Sequence, residues 1–166
     1  MRAPYPSIIL VLLGCVPAIR ADAPLPPPQR YEVQSPSRKY VATLDPKTGV
    51  EVRARDSSAV RWRSKLWSRV AFLLDDGEHF VTGYSGLNLI PLDYGKDLVL
   101  LSFWKRDQKI RDVTVSELFP DTRVLRRTAS HYHWGSITGL ANSTLIVTRC
   151  DGSEVRFDAA TGKVKK

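Results

Sequence analysis

In this 166-residue chain the residue types able to do chemistry gather in two places. His131-Tyr-His133 is the one close pair of metal-type ligands. Residues two apart on a strand project to the same side, so both imidazoles could reach one ion, and a zinc hydrolase needs a third protein ligand beside them. His79 is the only other histidine, and no His-Glu-x-x-His or Cys-x-x-Cys pattern accompanies the pair. The second place is basic and aromatic. Arg53, Arg55, Arg61, Arg63, Lys65 and Arg69 are interleaved with Trp62 and Trp67. Arg61, Arg63 and Lys65 alternate, so a strand through them sets three cations on one face, with Trp62 and Leu66 on the core side. Such a face holds anionic groups by charge and planar rings by stacking.

Other chemistry is poorly provided for. There is no Gly-x-Ser-x-Gly elbow and no phosphate-cradling glycine loop. Cys150 sits in strand-like sequence, away from a helix start that would lower its pKa, and reads as an inert, buried thiol. Asp75 and Asp76 are explained by the turn preference of aspartate. No cofactor is implied.

The elements that must position these residues read as hairpins. Val70-Ala-Phe-Leu-Leu74 is an apolar run, Asp75-Asp-Gly77 is turn chemistry, and Phe80-Val-Thr82 restarts a strand. Tyr40 to Leu44 alternates as a pleated strand, Asp45-Pro-Lys-Thr-Gly49 turns the chain, and Val50, Val52 and Ala54 mark the return. Asp158-Ala-Ala-Thr-Gly162 repeats that turn near the far end, before Val164. Leu98-Val-Leu-Leu-Ser-Phe-Trp104 is a continuous apolar strand buried on both faces, and Leu145-Ile-Val-Thr-Arg149, turned by Asp151-Gly152, leads into the final hairpin. Between them Ser116 is placed to cap a short helix containing Leu118 and Phe119, and Asp121 to start a second short helix. Ser35-Pro-Ser-Arg-Lys-Tyr-Val-Ala-Thr43 aligns with Leu74-Asp-Asp-Gly-Glu-His-Phe-Val-Thr82 at an offset of 39 residues. A four-stranded propeller blade repeats at about 40–45 residues.

These phrases, Ser-Pro-x-x-Lys-Tyr-Val-Ala, Asp-Asp-Gly-x-x-x-Val-Thr and Asp-x-x-Thr-Gly-x-Val, resemble the WD-like and related β-propeller repeats of bacterial secreted proteins. The resemblance covers residues 35–82 and 145–164 best. It implies architecture and assigns no catalytic residue. The expected fold is all-β: antiparallel hairpins like propeller blades, with a short helical insertion. About 130 folded residues make about three blades, fewer than a closed propeller needs. An incomplete propeller, a small sandwich and a ring completed by identical chains all remain open.

The N-terminus sets the expected location. Arg2, the apolar run from Ile8 to Val16 and the small residues before Asp22 read as a secretory signal over residues 1–21. Leu12-Leu-Gly-Cys15 also resembles a lipobox, and lipidation of Cys15 would anchor the protein to a membrane. Residues 22–34, with Pro24-Leu-Pro-Pro-Pro28, read as a stiff proline-rich linker, and residues 35–166 as the β-repeat domain. Without residues 1–21 the formal charge falls from +8 to +6, which favours anionic partners. Nucleic acid is not expected among them outside the cytoplasm.

The leading expectation is therefore a secreted or periplasmic, non-catalytic binding module. It would contact a protein or anionic ligand through Arg61, Trp62, Arg63, Lys65 and Trp67, with Trp104 and Trp134 as apolar anchors. One alternative is a metal-dependent hydrolase using His131 and His133. The other is a structural subunit that assembles into homo-oligomers through its edge strands.

Overall fold

The computed structural model describes residues 24–165. The expected signal at residues 1–21, including Cys15, and the first two residues of the linker lie outside the described residues.

Four strands open the fold in simple order. β1 (Tyr31–Gln34), β2 (Tyr40–Asp45), β3 (Gly49–Ala54) and β4 (Val60–Ser64) make the first sheet, every pair antiparallel. β1 lies inside the segment expected to be linker. Its Tyr31 and Val33 pack on the core, and the Tyr31 hydroxyl donates to the Ser68 carbonyl at 2.6 Å, so the sheet begins at Tyr31. Gly49 closes the β2–β3 turn at φ +95°, where a Cβ would lie 2.1 Å from the Ser64 carbonyl oxygen. Val52 pairs with Trp62 but Arg53 pairs with Val60, so Arg61 is the extra residue of a bulge in β4.

The second sheet begins with β5 (Ala71–Leu73) and β6 (His79–Gly83), and the chain makes an excursion before its other two strands. The excursion carries β7 (Leu89–Pro91). The chain then returns as β8 (Val99–Lys105) and β9 (Gln108–Thr114). A single helical turn, α1 (Val115–Leu118), follows. Thr114 caps it, accepting from the Glu117 amide at 3.3 Å, so Ser116 falls inside the helix instead of before it. Asp121 caps a 3-10 turn, Thr122–Val124, as expected of a helix start there, but the turn ends at Leu125. β10 (Arg126–Arg127) and β11 (His131–His133) then pair, and β11 also pairs with β7 to make a small side sheet. The third sheet is β12 (Gly135–Ala141), β13 (Thr144–Arg149) and β14 (Glu154–Asp158). Beyond the Asp158–Gly162 turn the return to β14 is one bridge, Phe157 with Val164, not a strand.

The fold is thus all-β, four antiparallel sheets of hairpins that do not close into a barrel. The second sheet is its centre, with both faces buried. Ala71, Leu73 and Phe80 pack on Ala42, Leu44, Val50, Val52 and Trp62 of the first sheet. Val81, Leu101, Phe103 and Val113 face the other way, toward Leu145, Val147 and Phe157 of the third sheet. This is the two-sided apolar pattern visible in Leu98 to Trp104.

The 39-residue offset marks equivalent places in the first two sheets. Ser35 N–H donates to Tyr40 O at 3.0 Å and Arg38 N–H to Ser35 O at 2.8 Å. Leu74 N–H donates to His79 O at 3.0 Å and Gly77 N–H to Leu74 O at 3.1 Å, the same two bonds one sheet on. Arg38 and Gly77 both have left-handed backbone, at φ 59° and 66°. The offset ends at β6 because the β7 excursion is inserted before the next strand of the second sheet.

Candidate binding groove

The two corresponding turns frame the site. Pro36 presets the first turn, and the chain then holds Arg38 in left-handed backbone, which costs a non-glycine residue about 1–2 kcal/mol. At the same end of the β2–β3 pair, where Tyr40 faces Ala54, Arg55 N–H donates to Lys39 O at 2.9 Å. These segments border an open groove of about 690 Å³ lined by Arg38, Lys39, Tyr40, Ala54, Arg55 and Asp56. Among the described residues Arg38, Lys39 and Arg55 form no ion pair. The Arg61 guanidinium stands 5.0 Å from the centre of the Tyr40 ring, at the groove's flank. Three cations against the single carboxylate of Asp56 make a concave surface with excess positive charge.

The residues expected to form the contact face are distributed differently. The bulge separates Arg61 from Arg63: Arg61 reaches Glu78 of the second sheet at 3.1 Å, while Arg63 pairs with Glu51 on neighbouring β3 at 2.8 Å. Lys65 is exposed just beyond β4. Trp62 is 7% exposed and faces the core, and its indole N–H donates to Gly77 O at 2.7 Å. Trp67 is half-buried, with Arg69 5.7 Å from its ring, and its buried N–H has no acceptor among the described residues. Of the two expected anchors, Trp134 is buried and donates to Leu87 O at 2.7 Å, and Trp104 is half-buried under Lys109.

Carboxylates at the boundary of the first two sheets are held ionised. Arg106, 2.5 Å from Glu78, is the chief cause that pulls the Glu78 carboxyl below its ordinary range; desolvation opposes this and Arg61 reinforces it. Burial pushes Asp75 upward, but bonds from the Ser37 amide at 2.7 Å and hydroxyl at 2.6 Å, with help from Ser35 and Lys39, bring it below the usual value. Burial alone lifts the Tyr31 phenol to about 12.

His131 and His133 are half-buried in β11, and Ser130 Oγ lies 2.9 Å from His131 Nδ1. Among the described residues no three or more histidine, cysteine, aspartate or glutamate side chains are grouped to hold a metal. The Cys150 thiol is buried and donates to Val124 O at 3.2 Å, as suits an inert core residue.

No protein-family model matches this chain, and no curated protein sequence matches it either. The groove residues Arg38 and Lys39 escape a reading based on strand alternation because they sit in a turn. The signal that could have found them is the offset itself, which sets the Arg38-Lys39 pair against Gly77-Glu78.

Proposed function

We propose that this protein is a non-catalytic, extracytoplasmic binding module that takes an anionic ligand in the groove around Arg38, Lys39 and Arg55. One observation carries the proposal: three cations meet at an open concave surface without an ion-pair partner among the described residues. Of the cations on the strands of the first sheet, Arg53 is already matched to Glu32 and Arg63 to Glu51. A ligand anion therefore meets less competition in the groove than on the β4 face.

The test is binding of residues 22–166 to poly-L-glutamate, polygalacturonate and dextran sulfate at about physiological ionic strength, where unfocused surface charge is largely screened. A triple variant, Arg38→Ser, Lys39→Ser and Arg55→Ser, should lose at least about tenfold in affinity for whichever polymers bind, about 1.4 kcal/mol. A charge-matched control, Arg127→Ser, Lys163→Ser and Lys165→Ser, should bind like the wild type. Absence of binding to all three polymers, or equal losses in the two triple variants, would remove the proposal.

A further inference from the structure

The second sheet contains an occupied version of this groove. Backbone equivalence matches Lys39 with Glu78, because Arg55 N–H donates to Lys39 O at 2.9 Å and Arg106 N–H donates to Glu78 O at 2.8 Å. Register agrees: Tyr40 pairs with Ala54, and His79 pairs with Lys105. Arg38, Lys39, Arg55 and Asp56 therefore stand where Gly77, Glu78, Arg106 and Asp107 stand one sheet on.

What docks on the second-sheet corner is visible. It is a strand, β4, applied through two consecutive residues. Arg61 sets its guanidinium 3.1 Å from Glu78, and Trp62 gives its indole N–H to Gly77 O at 2.7 Å. On the first sheet the central charge is reversed, since Lys39 replaces Glu78, and Arg38 and Arg55 flank it. The Arg38 carbonyl, the counterpart of the one that receives Trp62, accepts no hydrogen bond among the described residues.

Resting on the anion-binding reading above, we infer that the groove receives an extended, acidic segment of a protein partner, with a carboxylate against Lys39 and Arg55 and a following tryptophan N–H on the Arg38 carbonyl. The arrangement copies the β4 contact with its charge inverted. A protein strand is favoured over an acidic polysaccharide because the internal precedent uses a backbone-spaced pair of side chains, one charged and one a ring N–H donor.

The probe is a peptide, Ala-Val-Glu-Trp-Glu-Ser, which is residues 59–64 of this chain with both arginines replaced by glutamate. Its binding to residues 22–166 is followed by amide shifts of Arg38, Lys39, Tyr40 and Arg55. The peptide should perturb those four amides, lose at least about tenfold in affinity against Lys39→Glu, and bind more weakly when its tryptophan is alanine. The parent peptide with both arginines should show the opposite preference, favouring Lys39→Glu over the wild type. Retained affinity in Lys39→Glu, indifference to the tryptophan, or no shift at all overturns the inference. Polyanions that still bind in those cases would leave the general anion-binding proposal intact. Displacement of the peptide by polygalacturonate at a lower carboxylate concentration than by poly-L-glutamate would also overturn the assignment to a protein.

Discussion

The second sheet is held on its two sides by different means. Toward the first sheet the apolar contact is small, eight buried residues around Trp62, Phe80 and Leu44, and its rim is fastened by polar bonds. Trp62 donates to Gly77 O, Ser37 donates to Asp75, and Arg61 reaches Glu78. Toward the third sheet the core is larger, with Phe103 and Phe157 at 5.8 Å between ring centres and Leu101, Val113, Leu145 and Val147 about them. Arg111 makes a polar link across it, donating to Gly162 O at 2.7 Å. The first boundary is specified by geometry and charge, the second by volume. Directional bonds set register at modest net gain, whereas buried area sets stability.

The largest effect should come from the volume-filled side. Phe103→Ala should cost about 3–5 kcal/mol in urea denaturation, because it opens a cavity among fully buried neighbours. A loss below about 1 kcal/mol would show that the third sheet contributes little to the core. Next comes Trp62→Phe, which keeps most of the ring area and deletes the N–H that Gly77 O receives. It should cost about 1–3 kcal/mol by leaving that buried bond unmade. If it cost nothing, the bond would be dispensable and the first boundary would be apolar like the second.

The smallest effect is electrostatic. Glu78 has a folded-state pKa below its ordinary value of 4.5, so its contribution is present above that pH and is lost as pH falls through the folded value. Its side chain is 18% exposed but its partner Arg106 is 55% exposed, so solvent screening keeps the contribution smaller than either of the effects above. The difference in stability between wild type and Glu78→Gln, measured from neutral pH down through the acid range, should shrink toward zero at the acid end. A difference independent of pH would assign the effect to packing. The same titration in a Phe103→Ala background should show the same pH dependence, since the third-sheet boundary is fastened by a carbonyl acceptor and not by Glu78.

Much of the architecture was legible. The apolar run in Tyr40 to Leu44 and the Asp75-Asp76-Gly77 turn predict strands and a hairpin because the burial of Val41, Ala42 and Leu44 and the left-handed backbone at Gly77 leave local marks. The 39-residue echo located equivalent turns. The β7 excursion left no such mark, since Leu89 to Pro91 becomes a strand only through pairing with His131 to His133. The site was less legible for a similar reason. Strict alternation put Arg61, Arg63 and Lys65 on one face, and a single bulged residue sent Arg61 to another sheet. Whether Lys39 and Arg55 are engaged in ion pairs depends on which turns stand opposite them, which strand periodicity does not encode.

The excursion through β7 also bears on the order of assembly. The first sheet pairs only neighbours in the chain, from Tyr31 to Ser64, and closes short loops. The second sheet cannot join β6 to β8 without drawing in the intervening segment, and that segment finds its strand partner in β11 and its indole clasp in Trp134, 47 residues beyond Leu87. Long closures forfeit chain entropy before any contact repays it. The molecule therefore joins a low-contact-order half, able to nucleate on its own pairings, to a high-contact-order half whose completion waits for residues near position 134.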